Sequence, residues 1–361
     1  MASVTTNYGF DVPTSSDLVK NGATQIALLG QDLDTFLFRP FTKNVIINGG
    51  MDIWQRGTSF TSTGATTNFA ADRWCIYNGR TGTTYSRQTS GLTGFQYSMR
   101  VQRDSGNSAT ANLYATTTLE TADSLRFAGQ TVTLSFYAKA GANYSSASSA
   151  LTAQIIQGTG TDQIVWSFTG SNAFASSSVT LTTSWQRFTL TGTAASTLTE
   201  IAALFVNTPV GTAGANDWFE ITGVQLEVGN QVSPFIRTGG NIQKELAACQ
   251  RYYYRTTPGA IYTTFSSGWS TSTTQFLVVT PLPVVMRIAP TALEQTGTAA
   301  NYSVFQGSTG VTCNGVPVAY HGSNNTMVTS FPVASGLTVG QAGVGRTDNS
   351  TAGYLGWSAE L

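Results

Sequence analysis

Two spacings of apolar residues run along this chain and divide it. Between residues 44 and 237 the apolar positions fall in short alternating or continuous runs, at 45–47, 73–77, 97–101, 111–115, 131–138, 151–156, 163–168, 178–181, 185–190, 201–206 and 218–226, with Gly, Ser, Thr and Asn between them. A period of two belongs to a strand buried on one face, and short strands at this spacing predict an all-β, two-sheet sandwich. In 131–138 the residues Val132, Leu134, Phe136 and Ala138 share one face, while Thr131, Thr133, Ser135 and Tyr137 share the other. That strand is expected to be buried on one side only.

Two segments change period. In NIQKELAACQRYYY, residues 241–254, the side chains Ile242, Leu246, Cys249 and Tyr253 make one stripe of a helix that Asn241 can cap. The helix reads as a hinge leading into a smaller β domain, with strands expected at 261–265, 275–279, 302–305, 327–331 and 354–361. Near the start, Pro13 and the following Thr-Ser-Ser run predict a helix from Asp17. Val19, Ile26 and Leu33 recur every seven residues, as do Gly22, Leu29 and Phe36, which is coiled-coil spacing. So short a stripe, interrupted by Gly22 and Gly30, is marginal alone, so either partner chains or the chain's own body must cover it. The expected divisions are 1–43, 44–240 and 241–361.

Composition narrows the function classes. Only 10% of the 361 residues are charged, against about 25% in an ordinary soluble protein, so hydroxyls, amides and glycine must build the surface. Eighteen basic residues balance eighteen acidic ones, which leaves no long-range field to gather nucleic acid or an anionic membrane. Cys75, Cys249 and Cys313 are far apart and form no CxxC pair, so buried thiols are expected, not a disulfide framework or a zinc site. The opening residues lack the pattern of a secretory signal, and no run approaches the ~18 apolar residues of a membrane span.

Catalytic signatures are sparse. His321 is the single histidine, its AYHGSNN setting reads as a turn, and no nucleophile elbow or phosphate-binding glycine loop accompanies it. No enzyme activity, catalytic residue, cofactor or metal is expected. Paired carboxylates are the alternative, since glycoside hydrolysis needs only two, about 5–10 Å apart. Asp72, Asp104, Asp123, Asp162, Asp217, Glu220 and Glu227 are available, with solvation or pairing to Arg73, Arg103 or Arg126 as their competing role.

Taken in order, INGGMDIWQRG, ADRW, FYAKA, ITGVQLEVGNQVSPFIR and ELAACQRYYYRT resemble the domain recurring in tail-fibre and minor structural proteins of tailed bacteriophages. TVTLSFYAKA, SWQRFTLTGT and WFEITGVQLEVG resemble strands of jelly-roll carbohydrate-binding modules, and YGFDVPTSSDLVKNGATQIALLGQDLDTF resembles the particle-attachment segments of phage proteins. The resemblance implies a jelly-roll sandwich in a homotrimeric fibre or spike of the virion, assembled in the host cytoplasm. Such a protein is joined to tail, baseplate or head proteins through its N-terminus and attaches to host surface polysaccharide by multivalent binding. A decoration or adaptor protein without a receptor role, and a polysaccharide depolymerase, are the alternatives. Jelly-roll modules commonly hold a structural calcium between an acidic residue after the opening Asn-Gly and a carboxylate on the last strand. Asp52 fits the first place, but Thr222-Gly223 stands in the second.

Flat aromatic rings stack on the apolar face of a pyranose while amides and hydroxyls take its OH groups. Trp54, Trp74, Trp166, Trp185 and Trp218 lie in strand patterns and are expected in the core. Tyr262, Trp269, Tyr302, Tyr320, Tyr354 and Trp357 lie amid Ser, Thr, Gly and Asn and are the expected glycan contacts, unless they form the terminal domain's core or a subunit interface. Val19, Ile26, Leu29, Leu33 and Phe36 are the expected attachment or oligomerisation stripe.

Overall fold

The computed structural model describes residues 3–4, 11–12, 21–37, 44–63, 66–78 and 81–361. Strands β1 (Ser3–Val4) and β2 (Asp11–Val12) pair antiparallel ahead of helix α1 (Gly22–Leu37). The helix start expected at Asp17, the stripe residue Val19 and the side chain of Phe36 lie outside the described residues. Ile26 and Leu33 are 66% and 41% exposed, and Leu29 is half-buried, so a single chain leaves much of this stripe open.

The sandwich is built from β3 (Ser59–Thr63), β4 (Thr66–Phe69), β5 (Cys75–Asn78), β6 (Thr81–Thr89), β7 (Tyr97–Arg103), β8 (Leu113–Thr118), the one-turn helix α2 (Thr121–Ser124), β9 (Thr131–Ala140), β10 (Ala150–Gly158), β11 (Asn172–Thr180), β12 (Gln186–Thr193), β13 (Glu200–Asn207) and β14 (Trp218–Val228). The first sheet runs β11-β10-β13-β8-β5-β4 and the second β12-β9-β14-β7-β6-β3. From β7 to β14 the chain writes 8-13-10-11 in one sheet and 7-14-9-12 in the other, with its first and last strands side by side. That order is a jelly roll of two Greek keys. Its core holds Trp74, Phe127, Phe136, Phe205 and Phe219, and Phe136 meets Phe205 edge-on at 4.8 Å.

Three local expectations change. Segment 45–47 is not a strand but leads into a turn in which Asn48 and Met51 take positive φ. Asn44 Oδ1 accepts from the Ile46 and Leu226 amides, and Asn48 Nδ2 donates to the Ile53 and Asp72 carbonyls, so side chains satisfy this buried backbone. A Cβ at Gly49 would stand 2.1 Å from the Val224 carbonyl oxygen, so the close backbone approach requires glycine. Segment 163–168 forms a single 3-10 turn, Val165–Ser167, whose apolar residues lie on the outside of the first sheet. Strand β9 is covered on both faces over its first half. Thr133 and Ser135 are buried because the residues after β14 fold across them, with Thr133 Oγ1 donating to the Gly229 carbonyl.

Beyond the sandwich, α3 (Ile242–Gln250) is capped by Asn241, whose Oδ1 accepts from the Lys244 amide at 3.0 Å. Tyr253 belongs to the following strand and not to the helix. The remaining strands are β15 (Tyr253–Thr256), β16 (Thr264–Ser270), β17 (Gln275–Pro281), β18 (Leu293–Glu294), β19 (Tyr302–Gln306), β20 (Thr309–Thr312), β21 (Val318–Gly322), β22 (Thr326–Pro332), β23 (Ala342–Thr347) and β24 (Leu355–Ser358). They form a small sheet, β15-β24-β18, and a larger one, β20-β19-β23-β16-β17-β22-β21, around a second core that includes Phe276, Tyr302, Phe331 and Trp357.

In place of a hinge, α3 and β15 are clamped to the sandwich. The Asn48 amide donates to Glu245, and Arg251 grips Glu120 with two bonds of 2.8 and 2.9 Å. Arg73 and Arg56 lie over the rings of Tyr252 and Tyr253 at 3.6 and 3.5 Å, and both pair with Glu360. Breaking a buried charge pair from one side typically costs about 3–5 kcal/mol, so this junction resists opening.

Candidate functional site

The aromatic residues expected to contact glycan do not gather at one place. Tyr302 and Trp357 are fully buried in the second core, and Tyr302 Oη donates to the Tyr354 carbonyl at 2.8 Å. These two are corrected to packing residues, because their positions face inward from β19 and β24. Tyr354 is half-buried, with the Arg255 guanidinium 3.5 Å over its ring. Tyr262, Trp269 and Tyr320 are exposed, but Trp269 lies on β16 and Tyr320 on edge strand β21, with β17 and β22 between them. His321 also sits on β21, beside the Tyr320 ring, and not in a turn.

A denser arrangement stands on the outer face of the second sandwich sheet. Cross-strand register places Thr84, Gln102 and Trp218 in one row, and Ser86, Arg100, Glu220 and Lys139 in the next. Gln88 and Ser98 face each other beyond these, followed by Thr222, Tyr137 and Arg187 across β14, β9 and β12. Gln225, Ser135 and Thr189 continue the series, and Glu227, Thr133 and Thr191 end it. Every one of these positions is polar or aromatic, and the alternation that sends Val101, Phe219 and Ala140 inward sends them out.

The charged row is held by one buried carboxylate. Glu220 Oε1 accepts from Arg100 Nε and Nη2 at 2.9 and 2.6 Å, while Oε2 accepts from Ser98 Oγ at 2.9 Å and lies 3.4 Å from Lys139 Nζ. Two indoles flank it: Lys139 Nζ lies 4.7 Å from the Trp185 ring and 5.9 Å from Trp218, and Arg100 covers Trp218 at 4.1 Å. Trp185 Nε1 donates to the Ser90 carbonyl at 2.8 Å, which fixes that ring at the border of the face. Both indoles are half-buried. The expectation that Trp185 and Trp218 are core residues is therefore corrected, whereas Trp54 and Trp74 are core and Trp166 is 36% exposed on the first sheet.

Several of the other carboxylates are engaged by donors. Asp217 pairs with fully buried Arg103 at 2.7 Å, Glu227 accepts from Ser233, and Asp162 lies 3.6 Å from Arg287. Asp52 accepts from Arg237 at 2.8 Å, so a guanidinium takes the place that the jelly-roll resemblance assigned to calcium, and Thr222 turns its hydroxyl to the Tyr97 carbonyl. Among the described residues no cluster of three or more His, Cys, Asp or Glu forms a metal site. Burial raises the Asp72 carboxyl to about 6 against the pull of Gln55, and raises Glu245 to about 7 against that of the Asn48 amide. Both groups lie inside the junction, away from the polar face. All three thiols are buried, and burial raises each of them.

No protein-family model matches the chain, and no curated protein matches it. Among solved structures, one described as CBM4 is similar over 50% of this chain and 98% of its own, at 18% identity and a TM-score of 0.32. A CBM22-1 xylan-binding domain from Paenibacillus barcinonensis is similar over 47% of this chain and 99% of its own, at 13% identity and a TM-score of 0.31. The enzymatically active domain of bacteriophage CBA120 tailspike protein 4 is similar over 44% of this chain and 19% of its own, at 14% identity and a TM-score of 0.30. At these scores the jelly-roll assignment rests on the strand order itself.

Proposed function

We propose that this protein is a non-enzymatic glycan-binding component of a tailed-bacteriophage virion, a fibre or spike, and that the outer face of the second sheet is where it meets host surface polysaccharide. One observation carries the reading: successive cross-strand rows of hydroxyl, amide and charged side chains, with Trp185 and Trp218 at their border, on one partly open sheet face. Such a face offers ring surface for the C–H side of a pyranose and donors and acceptors for its hydroxyls. The virion assignment is supported by the sequence resemblance, and self-association by the exposed Ile26 and Leu33 on α1. Several copies on a rigid mount would turn weak single-site binding into firm attachment through effective concentration.

The test is retention of the purified protein on a panel of immobilised bacterial surface polysaccharides, alone and after Trp218→Ala. Selective retention that Trp218→Ala weakens supports the reading. A protein that enters particles yet is retained by no polysaccharide would be an adaptor instead, and the release of new reducing ends would make it a depolymerase.

A further inference from the structure

We infer that the sugar recognised by this face carries an anionic group, a uronate or another carboxylate-bearing residue. The inference rests on the glycan reading above and concerns which glycans the face selects. In a chain where only 10% of residues are charged, Arg100, Lys139 and Arg187 stand together on one sheet face. Their carboxylates are already engaged. Both oxygens of Glu220 are taken up by Arg100, Ser98 and Lys139, and those of Glu227 by Ser233 and Gln225. Three cations against two carboxylates leave one positive charge in excess on the face.

That excess is within reach. Glu220 has 1% of its side chain exposed, whereas Arg100 and Lys139 have 24% and 19%. Among the described residues, Arg100 uses Nε and Nη2 on Glu220 and has no partner for Nη1, and Lys139 makes a 3.4 Å ion pair and no closer bond. The two indoles wall the row on the side of Lys139, which lowers the local dielectric and strengthens any added ion pair. A carboxylate arriving there would make charge-assisted hydrogen bonds, and a neutral hydroxyl would not match them. The cation beside exposed Tyr262 is set differently. Arg346, on the larger C-terminal sheet, is packed between Phe305 and Tyr262 at 4.5 and 5.0 Å and donates to Ser303.

The experiment is calorimetric titration with polygalacturonate, with the same polymer after carboxyl reduction, and with neutral dextran, at low and high salt. Binding of polygalacturonate, weakened about tenfold by carboxyl reduction and again by raised salt, is the expected result. Lys139→Met keeps the aliphatic stem between the indoles and removes the charge, and it should lower polygalacturonate affinity about tenfold in a variant that circular dichroism shows to be folded, since Glu220 keeps Arg100 and Ser98 as partners. Equal affinity for the native and reduced polymers, or an unaltered Lys139→Met, overturns the inference. If neutral polymers still bind and Trp218→Ala abolishes that binding, the anionic preference falls and the glycan reading stands. If no polymer binds and the surface-polysaccharide panel is also silent, both fall.

Discussion

The two outer faces of the sandwich begin from the same strand alternation and come to different ends. On the first sheet, Tyr77, Tyr114, Val206, Thr152 and Ser178 form a cross-strand row, and the connection between β10 and β11 folds back over the sheet. Val165 and Phe168 bury themselves on Ile156, Ala202 and Leu204, and Trp166 sits 5.2 Å from both tyrosine rings. On the second sheet the outward positions carry charge and amide instead, and the chain covers them at one end through the residues after β14. Aromatic residues alone do not mark a binding face. Where the outward positions are apolar, as at Ile156, Ala202 and Leu204, the chain folds back over them, because that burial is worth about 25 cal/mol per Å². Where they carry paired charges, as at Arg100, Glu220 and Lys139, the cations keep contact with solvent, because covering those charges costs more than it returns.

The strongest way to break this contrast is Phe168→Ala. It removes the anchor of the folded-back connection and should lower unfolding free energy by about 3–5 kcal/mol in urea titration, with polysaccharide affinity on the second sheet unchanged. A parallel loss of affinity would show that the two faces are coupled.

The pH dependence of stability comes next, and it belongs to neither face. Both Glu245 and Asp72 have raised pKa values, so each binds a proton in the folded state that it has lost when unfolded. Their contribution is present below the ordinary carboxylate range and is lost as pH rises through about 6 for Asp72 and about 7 for Glu245. Melting temperature should therefore rise from pH 8 to pH 5. Glu245→Gln should flatten much of that profile, on the order of 2–3 kcal/mol, without altering glycan affinity at either pH.

Smaller effects sharpen the comparison. Trp218→Ala should cost about tenfold in affinity, about 1.4 kcal/mol, with less effect on stability, whereas Tyr114→Ala should show the reverse when binding and denaturation are measured together. At the limit, Thr189→Ala, an exposed member of the polar face on edge strand β12, should change stability by less than about 0.5 kcal/mol and reduce affinity only slightly.

Much of the β framework was legible where apolar alternation is strong. The strands around Val132 to Ala138, Ile201 to Phe205 and Phe219 to Leu226 match it closely. Strands β3, β6, β20 and β23 were missed because they are written in Thr, Ser and Gly, and backbone pairing to neighbours holds them in place of a buried apolar row. The run at 45–47 misled for the opposite reason. Ile46 is fully buried and Val45 and Ile47 half-buried, but a turn braced by Asn side chains buries them as well as a strand would.

The polar face carried a signal that the reading of Trp185 and Trp218 as core passed over. It lay in the outward half of each alternation, Ser98-x-Arg100-x-Gln102 and Trp218-x-Glu220-x-Thr222. Period alone says which residues share a face of one strand. It does not say which faces of different strands become neighbours.

The sequence by itself determined an all-β chain with a sandwich and a smaller β region, because period-two burial and turn residues are local properties that survive in any arrangement. Tertiary structure decided where the aromatic residues went: Trp357 and Tyr302 into a core, Trp166 onto the outside of the first sheet, Trp185 and Trp218 to the edge of a charged row. The same was true of Glu220, whose partners Arg100 and Lys139 are distant in the chain and meet it only because β14 pairs with β7 on one side and β9 on the other. Strand order sets which charges share a row, and strand order depends on the long-range closure of the jelly roll.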